Sequence, residues 1–445
     1  MNNYKFHITE TIKLAYPVVI GQLGHMMLGV VDSIMVGKLG ATQLAASSLV
    51  NGLILLIMVL GIGMSIAITP LVAIAKGSNK HDECGVILRQ GLIVNLVFSF
   101  LLVIAIYFLA DLVYYLDQPI EVAQYAESYL KILNLSIIPF MLFQTYKQFS
   151  EGVSFTKPPM VIIILSNFVN VLGNWILIYG NLGFPKMGLD GAGYSTLLTR
   201  IFIAIAIFIY IRNAKDFKEF DPSLKFKSIN WKVIKKIINL GIPSGFQMFF
   251  EVGGFAFATV MIGWIGTKEL AAHQIALNLS SITFMVGLGI SIAATIRVGN
   301  FLGKKDLQGV KQAGYSALLI IATIMGFFGL TFFILRNYLP TLYIGDRDVI
   351  EVAASLIIIA SFFQVVDGLQ VVGVGILRGL TDLKATMVIA FIAFWIFGLP
   401  IAYVLGFTFS LGAEGIWVSF VVGLSLAAIL FFLRFQRFLN NTKFD

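Results

Sequence analysis

The sequence predicts an all-α integral membrane protein with about twelve transmembrane helices. Of its 445 residues, 58% are apolar and only 12% are charged, whereas about a quarter of an ordinary soluble domain is charged. Apolar windows long enough to cross roughly 30 Å of hydrocarbon recur along the whole chain. Lipid offers backbone groups no hydrogen-bond partners, so runs of this length cannot be lipid-exposed open sheet, and the short alternating segments of a barrel are absent.

The predicted spans follow one another from the N-terminus to the C-terminus. They are 12–36, 48–76, 88–112, 128–150, 160–180, 190–212, 235–265, 274–300, 312–334, 350–377, 384–406 and 413–436. The first run is too long for a signal-peptide core and lacks a small-x-small cleavage site, so we expect a retained helix. The single cysteine, Cys84, cannot form an intramolecular disulfide.

Lysine and arginine predict the orientation of these helices. If the N-terminus is cytoplasmic, the two tails and the connections on the same side hold about 24 of the 31 Lys and Arg residues. The opposite connections hold Lys38, Lys186, Lys268, Arg336 and Arg347. The positive-inside rule therefore predicts a multi-pass protein of the plasma (cytoplasmic) membrane with both termini in the cytoplasm. The net charge of +8 is explained by this topology and by contact with anionic membrane lipids, without nucleic-acid binding.

A sequence repeat divides the chain into halves. A shift of 226 residues aligns "MVGKLGATQLAA" with "MIGWIGTKELAA", and "VLGIGMSIAIT" with "MVGLGISIAAT". Each half holds six predicted helices, so equivalent helices share one orientation, as in parallel repeats about an axis along the membrane normal. We predict an N-lobe with helices 1–6 (1–212), a cytoplasmic linker (213–234) and a C-lobe with helices 7–12 and the C-terminal tail (235–445), related by pseudo-two-fold symmetry. Such lobes favour a transporter that works by alternating access.

Three carboxylates are predicted inside the membrane. Asp32, Glu251 and Asp367 lie 19, 15 and 11 residues from the basic residue at the cytoplasmic end of their helix, or roughly 28, 22 and 16 Å at 1.5 Å per residue. Intramembrane carboxylates are costly, so they usually face a cavity and bind ions, protons or charged substrate. The alternatives are that Asp32 marks a helix end and that the other two bond to neighbouring helices.

Two amides on one helical face add possible ligands. Asn170 and Asn174 are four residues apart in the fifth predicted span, which places them on the same side of a helix. Amide and carboxylate oxygens suit a hard cation such as Na⁺, whereas a lone carboxylate suits a proton. The competing interpretation is that the pair forms hydrogen bonds between helices.

The chain resembles the MATE (multidrug and toxic compound extrusion) family over essentially its full length, and within it the NorM-like branch. The motifs are "VDSIMVGKLG" with "LAASSL", "GIPSGFQMFFEVGGFAFATVMIGWIGTKELAAHQI", and "GILRGLTD". The resemblance implies the MATE-like fold and a cation-coupled antiporter, using Na⁺ or H⁺, that exports amphipathic, often cationic organic compounds and drugs. It implies no enzyme activity and no cofactor beyond the coupling ion, and we expect a monomer.

The resemblance also assigns the site residues. In the N-lobe, Asp32, Asn170, Asn174 and Thr196 match positions that couple cation and substrate. In the C-lobe, Glu251 and Asp367 match an acidic pair associated with the coupling cation, so Na⁺ is possible at either site. Related sequences often carry a tyrosine one turn before the second of these acids, where this chain has Phe363. The missing hydroxyl leaves both the coordination and the ion open, and two close carboxylates can instead share a proton.

Other polar residues are predicted to have structural roles. His25 is predicted to be a hydrogen-bonded side chain in the helix packing, and His273 is predicted to lie at an outer helix end. Arg378 and Lys384 are predicted to set the topology at the cytoplasmic end.

No phosphate-binding loop or HExxH pair is present, which argues against an ATPase or a metalloprotease. A flippase for lipid-linked saccharides of the same superfamily would favour a basic cavity, yet Arg200 is the only intramembrane arginine candidate well away from the cytoplasmic ends. The second alternative is a non-transporting receptor or channel.

Overall fold

The chain is almost entirely helical in the computed structural model, which describes residues 2–224 and 229–442. Within those residues, eleven helical segments are long and apolar enough to cross a membrane, and one bent pair of helices completes twelve. The predicted all-α fold with about twelve spans is therefore confirmed. Residues 225–228 of the predicted linker, and Met1 and 443–445 at the ends of the predicted lobes, lie outside the described residues.

The helices follow one another with short connections. They are α1 (Asn2–Gly37), α2 (Ala41–Ile66), α3 (Ile68–Gly77), α4 (His81–Leu109), α5 (Ile120–Leu135), α6 (Ile137–Gly152), α7 (Lys157–Leu177), α8 (Gly188–Asn213), α9 (Trp231–Ile265), α10 (Thr267–Gly303), α11 (Leu307–Leu335), α12 (Arg347–Gly379), α13 (Leu383–Ala390), α14 (Leu399–Tyr403) and α15 (Gly412–Asn441). Two π-helical stretches, Phe391–Gly398 and Val404–Thr408, flank α14 and continue the eleventh span.

The fourth span is broken at Ser136, where α5 and α6 meet at an angle of 41°. The Ser136 hydroxyl donates to the carbonyl oxygen of Leu133 at 2.5 Å. A hydroxyl that bonds to a nearby carbonyl competes with the helical backbone hydrogen bonds and favours a bend. The break places the Ser136 hydroxyl near the middle of the span.

The chain packs into two compact units. The first is Met1–Val19 with Phe246–Asp445, and the second is Ile20–Gly245. The predicted lobes divide the chain at the linker. In the structure, the beginning of α1 packs with the helices of the predicted C-lobe, and the beginning of α9 packs with those of the predicted N-lobe. In the first unit, Arg297 of α10 donates to the backbone of His7 and to the Thr11 hydroxyl, which ties the beginning of α1 to α10.

The contacts at these boundaries follow the sequence repeat. In the second unit, Gly63 of α2 lies so close to Gly245 of α9 that a Cβ would overlap its backbone. In the first unit, a Cβ on Gly289 of α10 would overlap the side chain of Val19 of α1. Both glycines and both partners are 226 residues apart (289 − 63 and 245 − 19). The repeat is therefore present in the helix packing as well as in the sequence, and small residues permit the close approach.

The beginning of the linker is fastened to the second unit. Phe217 and Phe220 are buried beside α4 and α6. Arg89 of α4 donates to the Asp221 carboxylate at 2.9 Å and to the Ser223 carbonyl oxygen at 3.0 Å. We call Arg89, Asp221 and Ser223 the linker clasp. The described part of the predicted linker is thus packed structure up to this point.

Candidate functional site

The first site lies in the second unit, where Asp32 of α1 meets α7 and α8. Asn174 donates its amide N–H to Asp32 Oδ1 at 2.6 Å, and the Thr196 hydroxyl lies 3.4 Å from Asp32 Oδ2. The Asn174 amide also lies 3.3 Å from Asn170 Oδ1. The structure therefore brings together all four residues predicted for the N-lobe.

The geometry of this site is set by the packing of α7 against α8. Asn170 and Asn174 are 1% and 0% exposed, so their side chains have no freedom to turn toward bulk water. Ser195 of α8 donates to the Asn170 carbonyl oxygen at 3.1 Å. Just after the C-terminal end of α7, the Tyr179 hydroxyl donates to the Met35 carbonyl oxygen at 2.9 Å and ties this end of α7 to α1.

One oxygen of this site has no protein donor. The Asn174 side-chain oxygen is buried and accepts no hydrogen bond among the described residues. A buried unpaired acceptor is unfavourable unless something else supplies a positive charge or a proton. Next to the Asp32 carboxylate, it completes a set of carboxylate, amide and hydroxyl oxygens of the kind that binds a hard cation.

The second site lies in the first unit, around Glu251 of α9 and Asp367 of α12. Gln247, one turn before Glu251, donates its amide to Glu251 Oε2 at 2.7 Å. Asp367 is 3% exposed, and its carboxylate lies close enough to Glu251 for the two charges to interact. The predicted acidic pair is therefore assembled in one unit.

A buried arginine completes the surroundings of this pair. Arg378 donates from Nη2 to Gln247 Oε1 at 2.7 Å and is 7% exposed. Gln247 thus connects the guanidinium of Arg378 with the carboxylate of Glu251. The sequence interpretation of Arg378 as a topology residue at the cytoplasmic end is incomplete, because the side chain points into the unit. The signal for Gln247 was its spacing of four residues from Glu251 on one helical face.

Phe363 belongs to an aromatic cluster and not to a set of polar ligands. Its ring centroid lies 5.7 Å from Trp417 and 6.3 Å from Phe255, and its side chain is 4% exposed. Edge-to-face packing at these distances is favourable for aromatic rings. The missing hydroxyl is therefore replaced by apolar contacts one turn before Asp367.

His273 is fully buried near the beginning of α10. The Trp417 indole N–H donates to His273 Nδ1 at 3.1 Å, and His273 Nε2 lies 2.9 Å from the Thr259 hydroxyl. Because the indole can only donate, Nδ1 is the acceptor and Nε2 carries the proton toward Thr259. The prediction of an outer helix end missed this connection among α9, α10 and α15.

A further pair of charges was not singled out from the sequence. Lys147 and Glu151 face each other four residues apart on α6, with 3.8 Å between Nζ and Oε1, and their side chains are 9% and 2% exposed. Lys147 lies near the end of the predicted span 128–150, and it is buried. The spacing of opposite charges by four residues was the available signal.

Neither site resembles a transition-metal centre. Among the residues that the structure describes, no group of three or more His, Cys, Asp or Glu side chains could hold a metal ion. The first site has one carboxylate with amide and hydroxyl oxygens, and the second has two carboxylates with an amide. Both arrangements are chemically suited to Na⁺ or to a proton.

Comparison with known proteins places this architecture in a family. The MatE family model matches residues 17–176 and 243–404, two segments that begin 226 residues apart (243 − 17). Over 443 residues the chain is 35% identical to the multidrug resistance protein NorM of Photobacterium profundum, covering 98% of this chain and 96% of that protein. Over 444 residues it is 34% identical to the multidrug resistance protein MdtK of Yersinia pseudotuberculosis serotype O:1b, again covering 98% and 96%.

Solved structures share the fold. The Vibrio cholerae MATE transporter VcmN superposes with a TM-score of 0.91 at 19% identity, covering 100% of this chain and 99% of that one. A transporter of the MOP superfamily from Pyrococcus furiosus gives 0.90 at 21% identity, covering 98% and 97%. At these identities the likeness concerns the fold alone.

Proposed function

Because the chain belongs to the MatE family, we propose that it exports amphipathic, often cationic organic compounds in exchange for Na⁺ or H⁺. The family resemblance predicted from the sequence is confirmed, and the chain is a multi-pass membrane protein and not an enzyme. The NorM and MdtK relatives are named as multidrug resistance proteins, which supports small organic molecules as cargo.

The observation that carries the coupling proposal is the geometry at Asp32. Its carboxylate is held by Asn174 and Thr196, while the buried oxygen of Asn174 has no protein donor among the described residues. A cation or a proton supplies the missing partner, and a positively charged cargo competes for the same carboxylate. Binding of one then weakens binding of the other, which is what exchange requires.

Antiport further requires that ion and cargo bind differently in the two facing states, since only differential affinity can shift their populations. We take Na⁺ as the first coupling ion, because oxygen ligands surround Asp32, and H⁺ as the alternative. The membrane potential supplies about 2.3 kcal/mol per charge per 100 mV. We place the chain in the cytoplasmic membrane with both termini inside, as a monomer that needs no cofactor.

The test is export from proteoliposomes with the two gradients imposed separately. An inward Na⁺ gradient at fixed pH and clamped voltage should drive a fluorescent cationic dye outward, and Na⁺ should accelerate release of bound dye. If only an inward proton gradient drives export, H⁺ is the coupling ion. Protein that moves no dye under either gradient, but translocates a lipid-linked saccharide, would be a flippase; protein that moves neither would match the receptor or channel.

A further inference from the structure

The second unit contains an intramembrane arginine without a carboxylate partner. Arg200 lies 12 residues after the first residue of α8 and 13 before the last, so it is roughly 18 Å from either end at 1.5 Å per residue. Among the described residues, no carboxylate oxygen lies within 4 Å of its guanidinium nitrogens. Charged residues inside a membrane are costly, and they usually mark a functional site.

The contacts of Arg200 use little of its hydrogen-bonding capacity. Nη1 donates to the Ser136 hydroxyl at 2.7 Å, at the break between α5 and α6, and lies 3.9 Å from the Met58 sulfur. A guanidinium has five N–H donors in a planar fork. The Nε and Nη2 groups form no hydrogen bond within the part of the chain that the structure describes, and the side chain is partly exposed.

An aromatic ring holds the guanidinium in place. The Arg200 guanidinium carbon lies 5.0 Å from the centre of the Phe140 ring, and His25 stacks on the same ring at 5.9 Å with an interplanar angle of 26°. A guanidinium over an aromatic face is attracted by the ring and keeps its edge free. The free edge can therefore bind an anionic group, and a carboxylate fits the fork through two parallel hydrogen bonds.

The charged groups near Arg200 are either paired with another residue or carry a negative charge. Lys147 is paired with Glu151 on α6, and Asp32 is held by Asn174. Asp32 and Arg200 interact electrostatically but do not form an ion pair. The unit thus presents one carboxylate and one guanidinium that are separate from each other, which complements a molecule carrying one positive and one negative group.

We propose that Arg200 binds the carboxylate of zwitterionic cargo whose cationic group is attracted by Asp32. The inference rests on the proposed export function and assigns to Arg200 the discrimination between cargo with a carboxylate and cargo without one. Neutralising the carboxylate of such a compound removes the group that Arg200 recognises, while leaving the group that Asp32 attracts.

The test uses two dyes that differ only at the carboxylate. Rhodamine 110 has a free carboxylate, and rhodamine 123 is its methyl ester. Equilibrium binding of each dye is measured by fluorescence polarisation with the full chain in nanodiscs. Arg200→Gln should weaken binding of rhodamine 110 about tenfold and change binding of rhodamine 123 less than about twofold. Arg200→Lys, which keeps the charge and loses the fork, should show a smaller loss for rhodamine 110 alone.

Arg336→Gln is the matched control, because the Arg336 guanidinium also lies over a phenylalanine ring, 4.9 Å from Phe333, but on an exposed surface. It should leave both affinities unchanged. Equal changes for the two dyes in the Arg200 variants, including no change, would overturn the inference. If Arg200→Gln does not fold, the same criterion is applied to Arg200→Lys. Export of rhodamine 123 by the wild type tests the proposed function separately, because this dye lacks the carboxylate.

Discussion

Asn174 donates its amide to Asp32 at 2.6 Å while its own side-chain oxygen remains buried without a donor among the described residues. The two residues lie on α7 and α1 and are 142 residues apart in the chain. From this relationship we expect Asn174 both to support the carboxylate and to serve as an additional ligand. The relationship predicts that the two residues act together on ion and cargo.

Replacement of Asp32 by Asn should abolish export without preventing membrane insertion. An amide carries no negative charge, so it cannot bind a cation and a positively charged cargo in turn. Export of a cationic dye from proteoliposomes under the wild-type gradient should fall at least about tenfold, in line with the role of intramembrane carboxylates. Asp111→Asn, an exposed aspartate after α4, is the control and should export normally. Wild-type rates in Asp32→Asn would remove Asp32 from the coupling site.

Replacement of Phe363 by Tyr should strengthen Na⁺ dependence if the second site binds the coupling ion. The new hydroxyl lies one turn before Asp367 and adds an oxygen ligand. The Na⁺ concentration for half-maximal export should fall about threefold, because affinity rises with the number of oxygen ligands. Phe420→Tyr is the matched control, since Phe420 belongs to the same aromatic cluster, 4.8 Å from Phe255. An unchanged Na⁺ dependence would assign ion coupling to the site at Asp32.

Removal of one partner of the Lys147 and Glu151 pair should destabilise the protein more than removal of both. Lys147→Met leaves a buried carboxylate without its cation, which costs about 3–5 kcal/mol. Adding Glu151→Gln removes that charge and should recover much of the loss. Equilibrium unfolding in mixed micelles measures the difference.

The exposed pair of Lys131 and Glu127 on α5 has the same spacing of four residues and is the control for the buried pair. Lys131→Met should cost less than about 0.5 kcal/mol, because water screens exposed pairs. Equal costs at the two lysines would mean that the pair on α6 is solvated in the native state.

The linker clasp should be insensitive to pH near neutrality and weaken in acid. Partial burial alone would raise the pKa of Asp221, but hydrogen bonds from Ser223 and Arg89 outweigh it and hold this pKa below its usual value of 3.8. The pKa is therefore lower in the folded than in the unfolded state. The stabilisation is complete above pH 3.8 and is lost as the pH falls through the lowered value.

Hydrogen exchange of the amides around Phe220, corrected for intrinsic rates, measures the opening of the clasp. Protection should stay constant from about pH 5 to 8 and decline below about pH 4. Asp221→Ala should reduce protection at neutral pH by at most about 1 kcal/mol, because the carboxylate is partly exposed. Asp216→Ala, in the same segment, should have no effect. A protection profile that is the same with and without the Asp221 carboxylate would show that the two phenylalanines alone hold the segment.

The membrane fold, the repeat and the family follow from the amino-acid sequence. These features depend on apolar length, on the distribution of Lys and Arg, and on a regular shift of 226 residues, all of which are visible along the chain. The intramembrane acids Asp32, Glu251 and Asp367 were also visible, because a carboxylate in a long apolar run is costly and rare.

Tertiary structure alone decided the partners of these charges. Three sets of hydrogen bonds join helices that are distant in sequence. Asn174 donates to Asp32, Arg378 is connected through Gln247 to Glu251, and the Arg200 guanidinium donates to Ser136. It also decided that the beginnings of α1 and α9 pack with units other than those suggested by the linker. Hydropathy measures how readily a segment enters the membrane, whereas these contacts depend on which face each helix turns toward its neighbours.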